Sequence, residues 1–242
     1  MEKHCRAAIS PYNVERRRRK HYHLFHPLQM EPNPDRTARQ KTRTAAAVLV
    51  ACLCGWFVME LEILGVRMLA PYFGSAVYVV TGSVIGTFLL SLSVGYLLGG
   101  RLSAQKNSGI LLGVFILLAG VWTAVLPFFT GPVCERIFDW GLDEKWGSLL
   151  AALALFAVPT TFLGTVSPTV VRWLTQRPEE AGVSAGVVMA LSTIASFAGC
   201  VVTAFYLILY SMRLVLSISG LILALLGTAV LFTALVRRKK HA

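Results

Sequence analysis

Six stretches of about 20 or more residues, almost wholly apolar, Gly, Ser and Thr, fill the chain between Thr44 and Val236. They run over 44–66, 76–100, 108–130, 147–171, 183–209 and 214–236. A helix of that length crosses a bilayer core of about 30 Å. Inside lipid the backbone amides and carbonyls must find partners within the protein, so a spanning segment is a helix or part of a closed barrel. Barrel strands would read as short stretches of alternating polarity, and these stretches do not. The expected fold class is therefore all-α: a polytopic membrane bundle of about six transmembrane helices over 44–236. Short basic tails are expected at 1–43 and 237–242.

The charge distribution agrees. Charged residues make up 14% of the chain, against about 25% in a soluble domain. Eleven of the 23 Lys and Arg precede Thr44, and four more lie in the last six residues. With six crossings, both tails share a side with Arg101, Lys106, Arg172 and Arg177. The other side carries Arg67, Arg136, Lys145 and Arg213, mixed with Glu135, Asp139, Asp143 and Glu144. The bias of basic residues toward the cytoplasm predicts cytoplasmic termini. The expected partner of the basic tails is anionic lipid, not nucleic acid. Trp122, Trp140, Trp146 and Trp173 fall near expected span ends, where amphipathic rings are favoured.

The N-terminal tail shows no period and is expected to be disordered or lipid-facing, with Met30 as an alternative start. Its His21, His23 and His26 lack acidic or Cys neighbours, so no metal site is expected there. The first apolar stretch is too long for a cleaved signal peptide. Cys5, Cys52, Cys54, Cys134 and Cys200 have no metal or redox spacing and read as small apolar filler.

Small residues mark the faces on which helices should meet. In the second stretch Gly82, Gly86, Ser91, Gly95 and Gly99 recur mostly every four residues. The fifth carries Gly186, Ala190, Ser192, Ser196, Gly199 and Thr203. Such stripes let backbones approach closely where hydrophobic burial cannot drive association.

Two stretches are candidates for chemistry. Glu60 and Glu62 lie near the end of the first span, followed by Arg67 and Pro71. Ionisable groups at membrane depth face partners or cavities. Glu62, with Glu60, is a candidate lining for a site taking a cation or proton; alternatively both residues cap the helix end and bond neighbouring helices. Arg67, five residues from Glu62, pairs with it only if the helix distorts, or it snorkels to the interface. The second candidate is 159–168, where Pro159, Gly164 and Pro168 predict a kinked or broken helix. A broken helix frees backbone groups for a ligand, but Ser and Thr can also re-satisfy them. Ser167 has no His or Asp nearby and is not read as a nucleophile. No Gly-rich nucleotide loop, adenosylmethionine fold, zinc spacing, nucleophile elbow or kinase signature is present, so no catalytic residues, metal or cofactor are expected.

Three segments carry a resemblance. MELEILGVRMLAPYFGSAVYVVTGSVIG (59–86), PTTFLGTVSPTVVRW (159–173) and AGVVMALSTIASFAGCVVTAFYLI (185–208) resemble motifs of the membrane-bound spermidine-synthase-like family, the fused transporter/spermidine synthases. Their order and spacing fit over about 44–212. Glu62, Arg67, Pro71, Gly74, Pro159, Gly164, Ser167, Pro168, Arg172, Ser192, Thr193, Ser196 and Gly199 match motif positions; Ala195 and Cys200 depart from them. The resemblance implies a helical membrane domain in a bacterial plasma (inner) membrane, usually followed by an aminopropyltransferase-like domain. That second half is not in this sequence, which stops at Ala242. Aminopropyl transfer is therefore expected only from a separate soluble partner. The expected roles are to anchor or serve such a partner, to transport a small cation such as a polyamine as a stand-alone protein, or, least favoured, to act as a membrane-embedded enzyme; a homo-oligomer is compatible with each.

Overall fold

A computed structural model describes residues 34–74, 77–105, 107–175, 177, 179 and 181–240. The histidines and most of the basic tail lie outside these residues. Two compact units are present, 1–42 and 43–242. The described residues of the first, 34–42, are helical; all packing described below belongs to the second.

The described residues form an all-α fold. Its helices are α1 (Pro34–Phe73), α2 (Val77–Leu102), α3 (Ser108–Asp139), α4 (Glu144–Gly164), α5 (Val166–Leu174), α6 (Ala181–Phe205) and α7 (Met212–Lys240), with a 3-10 turn at Leu207–Leu209 after α6. Six segments are long and apolar enough to span a bilayer: Thr42–Phe73, Tyr78–Leu102, Ser108–Asp139, Glu144–Leu174, Ala181–Leu209 and Met212–Lys239. The chain is a polytopic membrane protein.

Several helices outrun their expected bounds. The first was expected over 44–66 but runs from Pro34 to Phe73. Pro34 suits a first helical position, whose amide has no helical acceptor. Lys and Arg are good helix formers, so they end an apolar run without ending a helix. Similarly, α3 passes through Pro127 and Pro132 to Asp139 rather than stopping near 130. The longer first span moves Glu60 and Glu62 from near its end to its middle.

The helices meet along seams of small residues. The closest joins α3 to α7, antiparallel. A Cβ at Gly113 would lie 2.6 Å from the Leu231 amide nitrogen, one at Gly120 2.4 Å from that of Ala224, one at Gly220 2.3 Å from that of Ala124 and one at Gly227 2.3 Å from that of Leu117. Backbone therefore rests on backbone over four successive levels. In a second seam, α2 and α4 run parallel: Gly95 faces Thr161 and Gly164, while Ser83 and Ser148 share a hydrogen bond of 2.9 Å. In a third, α1 and α6 run parallel at an offset of 141 residues. Ser192 Oγ donates to the Ala51 carbonyl and Arg67 Nη1 to that of Ile208. Gly55 faces Ser192 and Ser196, and Gly199 lies on the Trp56 backbone.

Between these seams an apolar core gathers Leu61, Leu64, Leu69, Phe88, Ile116, Leu126, Leu155 and Phe156, all fully buried. Exposed apolar side chains cover the outer faces, among them Leu89 and Leu97 on α2, Ile194 and Phe197 on α6 and Leu225 and Phe232 on α7. In water such faces would mark docking surfaces; around a membrane bundle they are the faces lipid covers.

Candidate functional site

Glu60 is 2% exposed in the middle of its span. Two neutral donors hold its carboxylate. Ser219 Oγ on α7 donates to Oε1, and Trp56 Nε1, one turn back on α1, donates to Oε2 at 3.3 Å. Among the described residues no Lys or Arg pairs with it. Trp56 continues the arrangement to α6, because its backbone is the surface on which Gly199 packs. A single turn of α1 thus touches α6 through Trp56 and α7 through Glu60.

Glu62 does not join this cluster. Two residues advance a helix by more than half a turn, so Glu60 and Glu62 cannot face one ligand together from an unbroken helix. Glu62 instead lies seven residues beyond Gly55, on the stripe that faces α6, and is half-buried. Arg67 is exposed and gives its guanidinium to the Ile208 carbonyl rather than to Glu62. Glu60 and Glu62 thus leave α1 on different sides, and of the two only Glu60 has hydrogen-bond partners among the described residues, on α1 and α7.

Pro71 lies in the last turn of α1. Gly74 follows the helix, where a Cβ would come 1.9 Å from the Ala70 carbonyl oxygen, so only glycine fits.

The fourth span is broken at Thr165, between α4 and α5. Both sides remain close to helical, with Thr165 at φ −67° and ψ −17°. The break opens no gap toward α2: a Cβ at Gly99 would lie 2.6 Å from the Thr165 carbonyl oxygen and 2.7 Å from the Pro168 ring. Thr165 Oγ1 donates to the Phe162 carbonyl and Thr169 Oγ1 to that of Thr165, each at 2.7 Å. Gly164 packs on Gly95, and Ser167 is half-buried. The break therefore packs closely against α2, with its two threonine hydroxyls turned onto the Phe162 and Thr165 carbonyls.

Pro159 sits inside α4 without ending it. Having no N–H, it cannot donate to the Leu155 carbonyl four residues earlier. Trp122 on α3 supplies the missing donor: its Nε1 donates to Leu155 O at 2.9 Å. Trp122 is thus a crosslink in the middle of its span and not an interfacial ring. By contrast Trp140 and Trp146 are mostly exposed around the α3–α4 turn, as interfacial rings should be.

Trp56, Ser219, Trp122 and Thr203 were not among the sequence candidates for the site. Trp56 was findable, since it stands four residues before Glu60 and therefore on the same helix face. Ser219 is 159 residues from Glu60, and no local pattern links them. Among the described residues no group of three His, Cys, Asp or Glu gathers as a metal site. No family model matches the chain, and no curated protein or solved structure shows significant similarity to it.

Proposed function

We propose that the protein binds a small cationic solute, of the polyamine class, inside its membrane bundle and moves it across the bilayer. The observation that carries this reading is Glu60, a carboxyl buried at mid-span with only neutral donors around it. A centrally placed acid costs about 2.5–3.5 kcal/mol on insertion scales, whereas an interhelical hydrogen bond in a membrane contributes about 0.6 kcal/mol. The one interhelical bond, from Ser219, with the Trp56 bond inside α1, does not offset the acid. A glutamine would tie α1 to α7 without that cost, so the carboxylate is better explained by a charge or proton it exchanges.

The resemblance to spermidine-synthase-like membrane proteins supplies the solute class and a setting. In that setting the membrane is a bacterial plasma membrane, the termini are cytoplasmic, and a soluble aminopropyltransferase-like partner works at that face. The basic residues at both ends of the chain support the orientation.

Labelled spermidine uptake into liposomes holding the purified chain tests the transport reading. Uptake is expected with the wild type and is expected to fall at least tenfold in Glu60→Gln while the protein stays folded. Wild-type uptake in Glu60→Gln would reduce Glu60 to a tie between helices. A scaffolding role without transport is the second reading, favoured by the resemblance; it would be supported by a synthase-like protein co-purifying with a chain that moves no spermidine.

A further inference from the structure

The α1–α6 seam is pinned on both sides of Glu62. On one side lie the Ser192–Ala51 hydrogen bond and the Gly55 and Gly199 contacts; on the other, Arg67 donates to the Ile208 carbonyl. The two hydrogen bonds share an offset of 141 residues. At that offset Thr203 lies level with Glu62, and at the offset of the Gly199–Trp56 contact it lies level with Glu60, so it sits on the stretch of α1 that holds both acids. Thr203 also lies on the packed stripe of α6, with Ser192, Ser196 and Gly199, at helical spacings of four, three and four residues.

Thr203 is fully buried, and its hydroxyl has no hydrogen-bond partner. Thr87 and Thr160 share this state, whereas the buried Thr123, Thr130 and Thr169 do not. Each donates to the carbonyl four residues earlier, at 2.7–2.8 Å. An unmade hydrogen bond of this kind costs about 1–3 kcal/mol. Glu62 has no hydrogen-bond or ion-pair partner among the described residues. Arg67, five residues on, donates to the Ile208 carbonyl and not to Glu62. Finally, α6 ends at Phe205, two residues beyond Thr203. The carboxyl end of a helix carries about half a negative charge and favours cations within its last turn.

We propose that the α1–α6 seam binds one small monovalent cation, an alkali ion or a primary ammonium group, between the Glu62 carboxylate and the Thr203 hydroxyl. The carboxylate balances its charge, the hydroxyl oxygen supplies a second ligand, and the end of α6 adds favourable potential. The site is separate from Glu60, which faces α7, and does not depend on the transport reading.

The test uses the full chain purified in detergent, with melting followed at constant ionic strength while N-methylglucamine chloride is replaced by sodium, potassium or methylammonium chloride. A ligand that binds only the folded state raises Tm in a saturable way. A saturable rise is expected with at least one of the three, and which of them acts identifies an alkali ion or an ammonium group. The rise should vanish in Glu62→Gln and in the near-isosteric Thr203→Val, and persist in Thr193→Val, an exposed position on the same helix. If Glu62→Gln does not fold, Thr203→Val decides alone. No cation-specific rise in the wild type, or a rise retained in Thr203→Val, overturns the proposal. Either result leaves the Glu60 reading intact, because that reading is measured by spermidine uptake.

Discussion

The α3–α7 and α1–α6 seams are both built on glycine, and they differ in what they leave unfilled. Along α3–α7, glycines meet the opposing backbone at four successive levels. Along α1–α6, the glycines Gly55 and Gly199 occupy only part of the interface. Serine hydroxyls, a carboxylate and an unpartnered threonine hydroxyl make up much of the rest. Close backbone contact favours one fixed geometry, because a bilayer gives no hydrophobic drive to repair a poor fit. An interface with polar groups in reserve can accept a ligand. The first seam packs backbone on backbone, and the second carries the cation site proposed above.

Three predictions, using four substitutions, press on this contrast. The largest effect is expected at Gly220→Ala. Its Cβ would meet Ala124 N at 2.3 Å and Ala124 Cα at 2.6 Å, and a backbone cannot rotate aside. A loss of about 3 kcal/mol, at the upper end for overpacking, should appear as a lower unfolding midpoint in detergent titration. An unchanged midpoint would mean that the α3–α7 seam yields as readily as the other.

Next comes Trp122→Phe, which strips the Leu155 carbonyl of its donor. The expected loss is about 2 kcal/mol for an unsatisfied buried acceptor. Pro159→Ala restores a backbone N–H that can reach the same carbonyl. The double variant should therefore lose less than the sum of the two single losses. Strict additivity in the thermal melts would disconnect the tryptophan from the proline.

The smallest effect is expected at Gly55→Ala. The nearest atoms are the Ser196 and Ser192 hydroxyl oxygens, at 2.6 and 2.8 Å, which can turn away; the Ser192 carbonyl at 3.1 Å needs only a slight shift. A loss of about 1 kcal/mol is expected in the same titration. A loss as large as that of Gly220→Ala would erase the difference between the seams.

Much of this architecture was legible from sequence, because lipid forces long apolar runs into helices. Span ends were less so. Hydropathy reports where the apolar run ends, whereas the helix continues past it, as α1 does through Arg36 and Arg39. The small-residue stripes were only half readable. In α2, Gly86 and Gly95 stand nine residues apart, which is two and a half turns, and so point to opposite faces. Gly95 and Gly99 pack against α4 and α5, while a Cβ added at Gly82 or Gly86 would meet nothing within 4 Å. The same split divides the exposed Gly186 and Ala190 from Ser192, Ser196 and Gly199 on α6. Glu60 could be recognised as unusual from its apolar surroundings, but its Ser219 partner is set by the tertiary fold.

The bond between Trp122 and the Leu155 carbonyl makes bending at Pro159 optically visible. A proline in a membrane helix is a natural pivot, but this one is bridged to its neighbour by an indole. The span cannot flex there unless the indole lets go or travels with it. Any working stroke that uses the pivot must therefore change the surroundings of a fluorophore the protein already carries.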